Sequence, residues 1–206
     1  MAKRRRTADC VDVAVADLVE LEHRGDGCRP RQRCGCASFD VCVTPAEIGR
    51  IDGIMPLASL FRPTLREGDG FANVFEEAER GLYAIDTDEE GACAFGFWRD
   101  GTLQCSIHAA AGAIGLPWER LKPRVCSLWP LSLSSAGPLT LSYDTEAFAF
   151  HCNRRRPRGA TALDAGVSTI LRLAFGAEFE RRVAQAAAQG LRRARVPLRG
   201  AVGDVL

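Results

Sequence analysis

The sequence predicts an α+β fold, a single small domain of short hairpins, irregular cysteine-rich loops and C-terminal helices. Three observations carry that expectation. Apolar–polar alternation is brief wherever it occurs and ends at turn residues, the pattern of short antiparallel strands. Glycine and proline interrupt the segment that holds the first group of cysteines, so it is a loop. Beyond residue 160 the apolar spacing becomes that of amphipathic helices. With 206 residues, 47% of them hydrophobic, the chain can bury a sizeable core and is long for one compact domain but short for two. The expected division is a tail with a possible strand over 1–20, a cysteine-cluster domain over 21–189, and a frayed tail over 190–206.

Taken in order, residues 1–9 form a basic, solvated terminus. Val11-Asp-Val-Ala-Val15 alternates and is expected as a strand, with Cys10 a bystander at its start. From His23 to Cys42 the residues Gly25, Gly27, Pro30 and Gly35 break any regular element, while Arg24, Arg29, Arg31 and Arg33 are interleaved with Cys28, Cys34 and Cys36. Guanidinium groups beside thiols favour the thiolate, the form that binds metal. The plainer alternative is a solvated basic loop with incidental cysteines.

Thr44-Pro-Ala-Glu47 announces a helix, with a capping threonine, proline at the first helical position and glutamate three residues after the cap. Ile48, Ile51 and Met55 continue it, and Gly49 and Gly53 weaken it. Residues 56–70 are expected as a loop, Asn73 to Arg80 as a short polar helix, and Gly81 to Ile85 as a strand.

Cys93 to Cys105 predicts a β-hairpin around Asp100-Gly101. In that register Cys105 falls opposite Gly96, so Cys93 and Cys105 project to opposite faces. Either a bulge at Gly96 restores a common face, or one of the two is not a ligand. Ser106 to Ile114 is helical, with His108 one turn past Cys105, where it could ligate metal, cap or pack. Lys122 to Cys126 is expected to be extended because proline restricts its neighbour. Leu128 to Ser134 and Leu139 to Tyr143 form a second hairpin around Ala136-Gly-Pro138, and Cys152 closes the cysteine series. Arg154 to Arg158 is expected as a solvated linker. Leu163, Val167, Ile170, Leu171 and Ala174 form one helical stripe, and Phe175, Phe179 and Val183 form another after Gly176.

Charge and cysteine usage narrow the function. Lysine plus arginine (27) nearly equals aspartate plus glutamate (26), so no global field calls for nucleic acid or an acidic membrane as partner. Nine cysteines cannot all pair internally. Residues 7–20 carry four acidic side chains where a signal peptide needs an apolar run, and no stretch is long and apolar enough to span a bilayer. A reducing cytoplasm is the expected compartment, and there clustered cysteines point to metal or redox chemistry more often than to structural disulfides.

The order and spacing of Cys28 to Cys36, Val43-Thr-Pro-Ala-Glu-Ile48, Cys93-Ala-Phe followed by Asp100-Gly101, Cys105-Ser-Ile-His108, Lys122-Pro-Arg-Val-Cys-Ser-Leu-Trp-Pro130 and Cys152 resemble the YkgJ-like cysteine-cluster family, described as a zinc- or iron-chelating domain. The resemblance covers residues 28–152. It implies a small metal-binding domain with Cys28, Cys34, Cys36, Cys93, Cys105, Cys126 and Cys152 as candidate ligands, related to the cysteine cluster of flagellin lysine N-methylases. The chain departs from the family where an adjacent cysteine pair is usual. Here Cys34-Gly-Cys36 is followed by Ala37, which makes Cys42 a possible substitute ligand.

Four thiolates in a tetrahedron suit Zn²⁺, and equally a 4Fe-4S iron–sulfur cluster with one cysteine on each iron. The iron–sulfur cluster is favoured. The function expected is thus a metal-binding protein with no assigned substrate or protein partner. Two alternatives stand beside it: a cluster-dependent enzyme resembling a protein lysine N-methylase, and a metal-free thiol or disulfide protein. Against the enzyme, the sequence has no glycine-rich nucleotide loop, nucleophile elbow or paired catalytic carboxylates.

Overall fold

A computed structural model describes residues 10–25, 35–67, 74–134 and 138–198. Cys28 and Cys34, the basic start of the chain and the turn at Ala136 lie outside the described residues. In chain order the elements are β1 (Cys10–Val13), α1 (Val15–Glu20), β2 (Leu21–His23), β3 (Cys42–Val43), α2 (Pro45–Phe61), β4 (Phe75–Glu79), β5 (Leu82–Ile85), β6 (Gly96–Arg99) and β7 (Thr102–Cys105). There follow α3 (Ser106–Ala113), α4 (Arg124–Leu128), β8 (Leu131–Ser134), β9 (Thr140–Tyr143), β10 (Asn153–Arg155), α5 (Ala165–Phe175), α6 (Ala177–Ala188) and β11 (Ala194–Pro197). Helices and short strands are mixed throughout, so the fold class is α+β. The chain packs as two compact units, one from Met1–Gly25, Leu128–Ala149 and Asn153–Leu206, the other from Asp26–Ser127 and Phe150–Cys152.

In the first unit a four-stranded sheet has the order β11-β1-β9-β8. The expected alternation holds in β1, where Val11 and Val13 are fully buried and their neighbours are not. The pleat sends every second side chain to one face, and here that face meets the core. Leu18, Leu141, Leu171, Phe179 and Val183 share that core with them. The two C-terminal helices form as their stripes predict. Asp164 caps α5 by accepting from the Gly166 and Val167 amides, and it also accepts from the His23 amide of β2. A Cβ on Gly166 would lie 2.2 Å from the His23 carbonyl oxygen, so only glycine lets β2 approach there.

Two expectations fail in this unit. Residues 190–206 are not frayed throughout, because Ala194–Pro197 pairs antiparallel with β1 and Val196 is buried opposite Val11. The arginine run is not a free linker either. Asn153–Arg155 pairs with β2, Arg155 bonds Glu20 and lies 4.3 Å from the Phe148 ring centroid, and the Arg156 amide donates to the Glu20 carbonyl. Local composition favoured a linker, and backbone pairing to β2 overrode it, while the Arg154 and Arg155 side chains stay exposed as expected.

The second unit begins its regular structure at the helix start read from the sequence. Thr44 accepts from the Glu47 amide, and the Glu47 carboxylate accepts from Thr44, so the capping box is closed. The helix then runs through Pro56 to Phe61, where a loop was expected, and Pro63–Arg66 adds a 3-10 turn. A proline inside a helix costs about 3 kcal/mol. Burial of Ile51, Ile54, Met55 and Ala58 in one core with Ile107, Ala110 and Ala111 of α3 offsets it.

Phe75–Glu79 is a strand and not the polar helix expected. It pairs antiparallel with β5, Phe75 against Ile85 and Glu77 against Tyr83, in a three-stranded sheet of order β3-β5-β4. The glutamates favour helix locally, but pairing decides strand state more than propensity does. At the sheet edge their exposed charges also discourage further pairing.

The hairpin β6–β7 has the expected register, with Gly96 opposite Cys105, and its turn residues Asp100 and Gly101 both have positive φ. No bulge is present in that ladder. Cys93 instead lies outside it, bridged to Thr87, and its carbonyl accepts from the Gly96 amide at 2.6 Å in a tight turn. A Cβ at Gly96 would meet that carbonyl oxygen at 3.0 Å, so the glycine serves close approach. Because the chain turns between Cys93 and the strand, two-residue alternation does not fix where the Cys93 thiol points. The dilemma posed by the register disappears.

Candidate metal centre

Four of the seven candidate cysteines are brought under one another's influence within the second unit, each delivered by a different local device. Cys36 sits in the 3-10 turn Gly35–Ala37, and its carbonyl accepts the Cys93 amide at 2.7 Å. Cys93 follows a loop tied by Asp88, whose carboxylate accepts from the Glu90 and Ala92 amides and pairs with Arg62 at 3.1 Å. Cys105 ends β7 at the point where α3 starts, and the next amide, that of Ser106, bonds the Phe95 carbonyl.

Cys126 lies on α4, where extended chain was expected. Pro123 stands before the helix, where a missing N–H costs nothing, and its carbonyl accepts from the Ser127 amide. The Arg124 amide is taken by Glu47 at 2.8 Å. One carboxylate therefore closes the cap of α2 and anchors the start of α4.

The thiols are partly buried, and Cys93, Cys105 and Cys126 pack against the unit's apolar core. Burial raises the Cys36 thiol above its ordinary pKa despite the Lys122 ammonium beside it, pushes Cys93 up to about 12, and raises Cys126 too. At Cys36 desolvation outweighs the attraction of Lys122; Arg29, Arg31 and Arg33, expected to lower the thiols, lie outside the described residues. Such thiols are protonated at neutral pH, the opposite of an activated nucleophile.

Lys122 is the common neighbour. Burial acts to lower its ammonium, but Cys105, Cys126, Cys36 and Cys93 together raise it. Its Nζ lies 5.3 Å over the Trp118 ring, which also stacks with His108 at 4.6 Å. His108 thus packs, and burial, then Lys122, lowers its pKa. Lys122 was legible as a site residue only from its place four residues before Cys126, a signal hidden while that segment was read as extended.

The remaining cysteines are placed differently. Cys152 belongs to the same unit and is partly buried. Cys42 is on β3, paired with Ala84, and Cys10 is on β1 of the first unit. Among the described residues, no group of three or more His, Cys, Asp or Glu side chains is arranged to hold a metal ion directly. Nor is any helix among them long and apolar enough to cross a membrane.

No family model, curated protein or solved structure matches this chain. What the site could hold is therefore judged on its donors. Four soft sulfur donors sharing one poorly hydrated neighbourhood fit a thiolate-bound metal in kind. Two orphaned hydroxyls fit it as well: the Oγ atoms of Ser106 and Ser127 are buried without a hydrogen-bond partner, and each follows a candidate ligand directly. Sulfur carrying negative charge would offer them an acceptor.

Proposed function

We propose that this protein binds a metal centre, an iron–sulfur cluster or Zn²⁺, through cysteine thiolates. Cys36, Cys93, Cys105 and Cys126 form the heart of the donor set, and Cys28, Cys34 and Cys152 are further donors. The observation that carries this is that Cys36, Cys93, Cys105 and Cys126 share a single compact unit, where the Cys93 amide bonds the Cys36 carbonyl and Cys93, Cys105 and Cys126 pack against one apolar core. The order and spacing of the cysteines, on which the resemblance to the YkgJ-like cysteine-cluster family rests, point the same way.

The chain's own residues do three things in this reading. Asp88 and Glu47 fix the segments that carry Cys93 and Cys126. The apolar core shields part of Cys93, Cys105 and Cys126 from water. The thiols surrender their protons on binding, so chelation offsets the burial that otherwise keeps them neutral. Zinc would staple the loops, whereas a four-iron cluster would add electron transfer. A reducing cytoplasm suits either role, with no membrane or nucleic-acid partner required.

Metal analysis with an absorption spectrum, after anaerobic purification of the full chain, tests the proposal. We expect close to one centre per chain, with visible absorption for iron–sulfur and none for zinc. Metal below about a tenth of an equivalent in folded, reduced protein would overturn it.

A further inference from the structure

The first unit holds a cleft that the metal-binding reading does not use. Its walls come from the later part of α1, from residues 157–160 after β10, and from α6 with the turn 190–192 that follows it. Backbone hydrogen bonds tie these walls together. Arg156 joins the second to the first, its amide donating to the Glu20 carbonyl at 2.7 Å and its guanidinium to the Val19 carbonyl at 3.3 Å. Gly190, with φ of 69°, ends α6: its amide donates to the Ala187 carbonyl and the Leu191 amide to that of Ala186. The Arg192 carbonyl then accepts from the Ala16 amide at 3.1 Å. The cleft is therefore preformed, and its volume of about 360 Å³ falls in the range of small-molecule sites.

The lining combines apolar surface with uncompensated cations. Val19 and Ala187 are its buried part, and Leu191 is half exposed. Glu20 is bonded to Arg155, whereas the guanidinium groups of Arg158 and Arg192 have no hydrogen bond or ion pair among the described residues. Asp17 attracts Arg192 only from outside the lining. A bare inorganic anion would leave the apolar surface wet, and a neutral apolar molecule would leave both arginines unanswered. One ligand that does both has a charged end and an apolar body.

We propose that this cleft binds a small organic acid, its carboxylate held by Arg158 and Arg192 and its apolar body lying against Val19, Ala187 and Leu191. Guanidinium suits the role because its planar fork can give a carboxylate two parallel N–H donors. The inference concerns the first unit alone and does not depend on the metal-binding reading.

The test uses octanoate as probe, titrated into the full chain by calorimetry and followed by the methyl signals of Ala16, Ala160 and Ala187. Octan-1-ol supplies the body without the charge, and acetate the charge without the body. We expect one octanoate per chain, shifts in those three methyl signals, and much weaker binding of both controls. Arg158→Gln and Arg192→Gln should each weaken octanoate binding roughly 10-fold, the loss of a charged hydrogen bond, at an unchanged melting temperature. Octan-1-ol binding as tightly as octanoate, or undiminished affinity in both arginine variants, would overturn the proposal. So would octanoate that leaves the three methyl signals unmoved. Should an arginine variant fail to fold, Ala160→Leu fills the cleft and keeps both cations. It should abolish binding, and full affinity in that variant would equally overturn the assignment.

Discussion

A single cysteine in this chain is defined by the backbone around it more than by its side chain. Cys105 stands where a strand becomes a helix, and Cys126 sits on a helix anchored at its first amide by Glu47. Both thiols are therefore presented by fixed segments, which is what a preformed site needs. Cys105→Ser or Cys126→Ser keeps the size and removes the soft donor. Each should lower metal occupancy and the melting temperature of the metal-loaded protein together. If Cys126→Ser retained full occupancy and the wild-type spectrum while Cys34→Ser lost both, the centre would belong to the N-terminal loop.

At the level of elements, Glu47 links two helices that the sequence read separately. One oxygen of its carboxylate serves Thr44 at the start of α2, and the other accepts from Arg124 at the start of α4. Removing a cap costs roughly 1 kcal/mol, and a lost hydrogen bond costs about as much again. Glu47→Ala should thus destabilise by about 2 kcal/mol in chemical denaturation. Metal affinity should fall as well, because α4 carries Cys126. Thr44→Ala removes the cap and leaves the Arg124 contact, so it should cost about 1 kcal/mol with little change in affinity. Equal effects of the two changes on affinity would show that the Arg124 bond is irrelevant to the site.

At the scale of the chain, the first and last described strands are neighbours: Cys10–Val13 pairs with Ala194–Pro197. A frayed tail would be dispensable, but removal of residues 192–206 should expose Val11 and Val13 and lower the melting temperature by several degrees. No change on truncation would return the segment to the status of a tail. This pairing also marks what the sequence could and could not reveal. The alternation of Val11 and Val13, the Thr44–Glu47 cap, the Asp100-Gly101 turn and the Val167–Leu171 stripe are local signals, and each produced the element it predicts. The strands at Phe75–Glu79 and Ala194–Pro197 exist because of partners distant in sequence, and local composition opposed or concealed them. The site was legible in the same uneven way. Sulfur density marked its candidate ligands, whereas the contacts of Lys122 and Glu47 exist only in the folded chain.

The hydrogen bond from the Cys93 amide to the Cys36 carbonyl has a kinetic side. It joins residues far apart along the chain, with α2, β4 and β5 lying between them. Closing so long a loop costs entropy that the contact alone cannot return. High sequence separation of this kind also slows folding. The intervening elements must therefore pack first, and the thiols converge late. A nascent chain offers a metal the neighbouring Cys34 and Cys36, but not yet Cys93, Cys105 or Cys126 beside them. Loading of the proposed site would thus belong to the end of folding, unlike a zinc finger, in which two close cysteine pairs let the ion organise the chain from the beginning.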